Sequence, residues 1–153
     1  MNPKPAHPQK LVLDASVVLK SYLPEDGSEQ ARMIFEDWAL GHVQLLAPAL
    51  MPYEVTNALL VALRKHRLDA AEAVEILRAF LRLRIPTQEL AGLEGRVWAL
   101  ALEHGRTAYD AAYLALAEHE GVPFITGNKR LYNAVKGKLP WVRWVGDYQS
   151  GAI

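Results

Sequence analysis

Four short apolar runs, at residues 11–13, 43–47, 122–126 and 141–145, are separated by longer stretches of helical periodicity, and this alternation constrains the fold more than any other feature. Strands joined through helices need crossover connections, which build a mostly parallel sheet covered by helices on both faces. The helical stretches have recognisable starts and stops. Residues 15–23 end before Pro24, and residues 25–40 set Ala31, Ile34, Phe35 and Trp38 on one face ahead of Gly41. Pro52 suits the first turn of a helix reaching residue 67, and Asp69 can cap another that runs to residue 84. Residues 90–104 and 107–120 form two more, ended by Gly105 and Gly121, and residues 129–135 a short last one. The expected class is α/β, a single domain with a central sheet of four to five strands.

A chain of 153 residues is the usual size of one domain and buries enough surface to fold without staples. It has no cysteine, which excludes disulfides and thiolate metal sites. Residues 1–10 carry three prolines and no apolar run, and read as an extension rather than a signal peptide. The domain is expected to span residues 11–148, with residues 149–153 as a tail. Charges interrupt every apolar stretch well short of a membrane span, so a cytoplasmic location is expected. Seventeen basic residues balance seventeen acidic ones. Attraction to nucleic acid therefore cannot come from bulk charge and needs a local patch or a bound cation.

The acids fall in unusual places. Asp14 is the only charge in LVLDASVVL, Glu54 the only one between residues 43 and 63, and Asp110 the only one in TAYDAAYLALA. A buried carboxylate is costly unless it is paired, hydrogen-bonded or bound to a metal. Singly, each has a plain structural reading. Asp14 can cap the helix after its strand, Glu54 sits where a helix macrodipole favours an anion, and Thr107 with Asp110 has capping-box spacing. Jointly they point to a site. Ligands of open parallel sheets bind beyond the carboxyl ends of the strands. Asp14 ends the first strand, and Glu54 and Asp110 lie in opening turns of helices that can face the same edge. Three carboxylates meeting there repel one another and require a cation. An oxygen-only donor set selects a hard ion, Mg²⁺ with Mn²⁺ as a substitute. His7, His42, His66, His104 and His119 show no metal-binding spacing and are expected at the surface. The glycine motifs of the P-loop, the dinucleotide fold and the hydrolase nucleophile elbow are all missing.

LVLDAS at 11–16, YEVTNAL at 53–59, TAYDAAYLALA at 107–117 and FITGNKRL at 124–131 together resemble, in order and spacing, the motifs of PIN-domain ribonucleases. More narrowly, they resemble the VapC-type toxins of type II toxin–antitoxin pairs, and the likeness runs to Tyr148. The resemblance implies a PIN-like domain, Mg²⁺-dependent hydrolysis of RNA to 5′-phosphate and 3′-hydroxyl ends, and a small antitoxin partner. It makes Asp14, Glu54 and Asp110 the catalytic, metal-holding residues. The family's usual fourth acid falls on Asn128, whose carbonyl oxygen can still meet a metal but brings no charge. Ser16 matches the hydroxyl or amide position after the first acid, where it either orients a water or phosphate or caps a helix. Thr126 also matches a polar position and reads as satisfying backbone groups at a strand end.

Lys129 and Arg130 flank Asn128 and are the candidates for substrate-phosphate contact. The clusters Arg64, Lys65, Arg67 and Arg78, Arg82, Arg84 read instead as solvated helix faces. Apolar positions across residues 55–63 and 73–81 exceed what one core face needs, which gives either a homodimer surface or a deeper core. Two further classes stay open beside the nuclease. One is a catalytically weak PIN-like module that binds RNA or protein, which Asn128 favours. The other is a phosphatase or flap-type DNA nuclease; the lack of a D-x-D motif argues against the phosphatase.

Overall fold

The computed structural model describes residues 7–151, so the first six positions of the Pro-rich lead and the last two of the tail lie outside the described residues. Five strands, β1 (Gln9–Leu13), β2 (Val43–Pro48), β3 (Thr87–Gln88), β4 (Phe124–Thr126) and β5 (Val142–Trp144), form one sheet in the order β3-β2-β1-β4-β5. Every neighbouring pair is parallel, as crossover connections require. The crossovers carry α1 (Ala15–Tyr22), α2 (Ser28–Ala39), α3 (Met51–Arg64), α4 (Ala70–Leu83), α5 (Glu94–His104), α6 (Ala108–Glu120) and α7 (Lys129–Val135).

The strand order reverses at β1. From there the chain builds outward through β2 and β3 on one side, then returns to lay β4 and β5 on the other. The crevice at such a switch point, outside the carboxyl ends of the strands, is where ligands of open α/β sheets bind. Register makes this specific. Val12 pairs with Phe124 and Leu13 with Ile125, so the next residues on each strand, Asp14 and Thr126, emerge level at the same edge.

Central strands buried on both faces should be apolar throughout, and Leu11, Val12 and Leu13 are all fully buried. Helix α6 explains how. Its run Ala111–Ala117 is wholly buried, and the alanines at 111, 112, 115 and 117 let it lie close against β1, β2 and β4. Tyr113 supplies the bulk, its ring stacked on Phe124 of β4 with centroids 5.8 Å apart. Asp69 caps α4 as expected, with the full capping box completed by Glu72.

Three boundaries differ from the sequence reading, each for a local reason. Helix α2 starts at Ser28 rather than residue 25, because Gly27 takes a left-handed φ of 86° and turns the chain before the helix begins. Helix α5 starts at Glu94 rather than residue 90. The residues before it turn at Gly92, and the two-residue β3 precedes them in a segment without apolar alternation. Helix α3 stops at Arg64, short of residue 67, where His66 adopts a φ of 57°. At the other end of the chain, Ser150 donates to Asp37 Oδ1 at 2.8 Å and Tyr148 Oη to Asp37 Oδ2 at 2.5 Å. The start of the expected tail is thus tied to α2. Among the described residues, no helix is long and apolar enough to cross a membrane.

Candidate active site

Asp14 leaves β1 and becomes the N-cap of α1. Its Oδ1 accepts from the backbone N–H of Ser16 at 3.1 Å and of Val17 at 3.4 Å, so the capping reading is geometrically correct. It is also incomplete. The Ser16 hydroxyl donates to the same oxygen, and Thr126 Oγ1 donates to Oδ2 at 2.6 Å. Ser16 is therefore not a cap. It stitches Asp14 to the opposite loop by accepting from Gly127 N at 2.8 Å. Gly127 has little room for a side chain: a Cβ would stand 2.5 Å from Lys20 Cε and 3.2 Å from Ser16 Oγ. The reading of Thr126 as a mere satisfier of backbone groups needs correction. It does accept from Asn128 N at 3.0 Å, but its proton goes to Asp14. The carboxylate is only 6% exposed, and burial pushes its pKa up to about 6 against the opposing pull of these hydrogen bonds.

Glu54 stands in the first turn of α3 and Asp110 in the first turn of α6, both at the positive end of a helix macrodipole. Burial raises the pKa of Glu54; Tyr113 works against that shift, and the charges of Asp14 and Asp110 add to it. Tyr113 Oη and Glu54 Oε1 feel each other, yet both are buried without a partner of hydrogen-bonding geometry. Asp110 N donates to Thr107 Oγ1 at 3.0 Å, which completes half of a capping box. The other half is missing because the Asp110 carboxylate turns to Arg106, whose Nε and Nη2 lie 3.2 and 3.1 Å from Oδ2. Asn128 caps α7 by accepting from Leu131 N at 3.2 Å.

The predicted acids share one pocket. Asp14, Glu54, Asp110, Asn128 and Ser16 all line one open pocket of about 480 Å³. Hollows of about 430 and 790 Å³ elsewhere are lined by none of the three acids. Lys129 and Arg130 are not in the lining of the acid pocket. Lys129 instead holds its Nζ 5.1 Å above the ring of Trp144, facing the larger hollow. The histidines contribute nothing to the pocket, but the expectation that all lie at the surface fails for His104. Its side chain is buried at the end of α5, with both ring nitrogens unpartnered.

Sequence reasoning missed Asn57, Tyr113 and Arg106. Asn57 and Tyr113 had a signal, since they lie three residues after Glu54 and Asp110 on the same helix faces, whereas Arg106 precedes the cap of α6 and no helical spacing points to it. Tyr53 and Tyr109, the residues directly before Glu54 and Asp110, also line the pocket and are largely exposed.

A divalent cation is the group this donor set fits best. The observation that carries the fit is Glu54 Oε1, a buried carboxylate oxygen without a partner, in a pocket shared with two more acids and an amide. Among the described residues, no three His, Asp or Glu side chains are already drawn together as a closed ligand set.

A PIN domain family model matches residues 11–137. Ribonuclease VapC3 of Pyrobaculum aerophilum is 38% identical over 126 residues, covering 80% of this chain and 92% of that protein. The chain belongs to the VapC branch of the PIN-domain family. VapC ribonuclease Mb0985 of Mycobacterium bovis is 31% identical over 130 residues, covering 85% and 94% of the two chains. Among solved structures, PAE2754 from Pyrobaculum aerophilum matches this PIN domain with a TM-score of 0.64 at 27% identity, covering 91% of this chain and 92% of that one. A toxin–antitoxin complex from Klebsiella pneumoniae shares the fold, with a TM-score of 0.60 at 18% identity over 87% of this chain and 95% of its own.

Proposed function

We propose that this chain is a Mg²⁺-dependent ribonuclease and the toxin of a toxin–antitoxin pair. The observation that carries the reading is Asp14, a buried carboxylate fixed by Ser16 and Thr126 in one pocket with Glu54 and Asp110. Asp14, Glu54 and Asp110 would hold the metal, with Mn²⁺ as a substitute and Asn128 as a neutral oxygen donor. A divalent cation held there would lower the pKa of a water and offset charge building on phosphoryl oxygens during displacement. The protein's own groups do the rest. Ser16 and Thr126 prevent the Asp14 carboxylate from rotating, so both of its oxygens keep their direction. One of the three carboxylates would accept the proton of the attacking water. The test is cleavage of a mixed RNA pool in Mg²⁺ and in EDTA, with single-stranded DNA as a parallel substrate. Cleavage of DNA alone would favour the flap-nuclease class.

The partner reading follows from the relatives, which are named VapC ribonucleases. A small antitoxin would cover the pocket and bring a basic side chain to the acids. The Arg106–Asp110 pair supports this, since a guanidinium is already accommodated there. For a homodimer the supporting feature is the exposure of Leu60, Val74 and Leu81 on α3 and α4. The second reading, an RNA- or protein-binding module of low activity, draws on Asn128, whose carbonyl oxygen is engaged in capping α7.

A further inference from the structure

Among the described residues, no lysine or arginine lines the pocket that holds the three acids, and Arg106 beside it is engaged by Asp110. The chain carries no net charge. Without a bound cation, phosphate attraction, the usual source of affinity for nucleic acid, is therefore weak at this pocket. Two side chains offer another source. Tyr53 is 79% exposed and Tyr109 65%, and both line this same pocket. They come from different helices, α3 and α6, and each immediately precedes a carboxylate of the site. Aromatic rings left this exposed beside a group of carboxylates bury little area in folding, whereas an unpaired base can stack on either.

We infer that Tyr53 and Tyr109 are stacking residues that grip unpaired nucleotides of an RNA strand beside the carboxylates. This rests on the reading of the pocket as an RNA-cleaving site. The strand must be single where the tyrosines grip it, because paired bases bury the faces that they need. Stacking is tolerant of sequence, so these residues set strandedness and position but not base identity.

The experiment uses the full chain and a fluorescein-labelled oligouridylate, alone and annealed to oligoadenylate. Binding is followed by anisotropy in EDTA for wild type, Tyr53→Ala, Tyr109→Ala, Tyr53→Phe and Tyr109→Phe. KM and kcat on the same strand are then measured with Mg²⁺. Each alanine variant should bind the single strand about tenfold more weakly, with duplex binding unchanged and phenylalanine restoring wild-type affinity. In the kinetics the loss should fall mainly on KM. The rings are so exposed that truncation should leave folding intact, which far-ultraviolet circular dichroism checks. Wild-type affinity in both alanine variants would overturn the inference, as would equal losses for alanine and phenylalanine, which would assign the effect to the hydroxyls. It would also fall if the alanine variants changed the sedimentation of the RNA-free protein, because the tyrosines would then be covered by a second copy. Failure of the wild type to bind the strand would overturn it too. Two outcomes separate it from the nuclease reading. Tyrosine-dependent binding without Mg²⁺-dependent cleavage supports stacking and defeats hydrolysis, while cleavage indifferent to both tyrosines does the reverse.

Discussion

Thr126 Oγ1 donates a hydrogen bond to Asp14 Oδ2 at 2.6 Å, joining residues 112 positions apart in the chain. The contact exists because β1 and β4 are neighbours in register, so the residues that end them meet at the switch point of the sheet. Removing it isolates its worth. Thr126→Val keeps the shape of a fully buried side chain but leaves a buried carboxylate oxygen and Asn128 N each one partner short. The variant should lose about 1–3 kcal/mol of stability, read as a lower midpoint in urea unfolding. It should also cleave RNA more slowly, because Asp14 is no longer held in place.

Asp14 itself makes stability depend on pH. Its pKa rises from an ordinary 3.8 to about 6 on folding, so between those values the folded chain holds a proton that the unfolded chain releases. Stability from this group is fully present below pH 3.8 and is lost as pH rises through about 6. The difference is on the order of 3 kcal/mol. Glu54, also raised, acts in the same direction, and the charge of Asp110 strengthens both. In EDTA, the gap in thermal unfolding temperature between Asp14→Asn and wild type should therefore widen in the variant's favour from pH 4 to pH 7. A gap that does not change with pH would contradict the raised pKa.

Arg106 balances Asp110 across a pair whose side chains are each 19% exposed. Arg106→Met keeps the stem and removes the charge. In EDTA the variant should be less stable by about 1 kcal/mol, since partial exposure screens the pair and its loss adds to repulsion among the acids. In Mg²⁺ it should gain more in thermal unfolding temperature than wild type does, because the cation no longer competes with a guanidinium for Asp110. An equal gain in both proteins would separate Asp110 from the metal site.

Much of this was legible beforehand, for a physical reason. Asp14, Glu54 and Asp110 each stand alone among apolar neighbours, and a lone charge in an apolar segment is costly enough to need a purpose. The alternation of strands and helices likewise exposed the parallel sheet. Asp37 shows where such reading stops. It is just as buried, at 4% exposed, but Glu36 sits beside it in sequence, and its partners Tyr148 and Ser150 come from the far end of the chain. Thr126 was undervalued for a related reason: its partner is fixed by strand register, which local sequence does not reveal. The two-residue β3 carries too few side chains to impose a period.

Asn128 allows a test of the fourth position. Asp can replace Asn as the cap of α7, so Asn128→Asp should fold, with a fourth carboxylate added to the pocket. Two unit charges about 4 Å apart interact by roughly 4 kcal/mol at an effective dielectric of about 20, before desolvation is subtracted. The variant should be less stable than wild type in EDTA, and the deficit should shrink or reverse as Mg²⁺ is titrated. RNA cleavage should reach half its maximum at lower Mg²⁺. Identical Mg²⁺ dependence in both would mean that residue 128 does not serve the metal.

The most direct measurement is Mg²⁺-dependent cleavage of RNA by wild type, Asp14→Asn and Asp110→Asn, with folding of each confirmed by circular dichroism. The wild type should cleave in Mg²⁺ and stop in EDTA. Both variants should remain folded and lose most of the activity, by about 100-fold or more if the carboxylates position the metal and the reacting water. Full activity in either folded variant, or wild-type cleavage undiminished by EDTA, would contradict the assignment of these acids as the metal-holding centre.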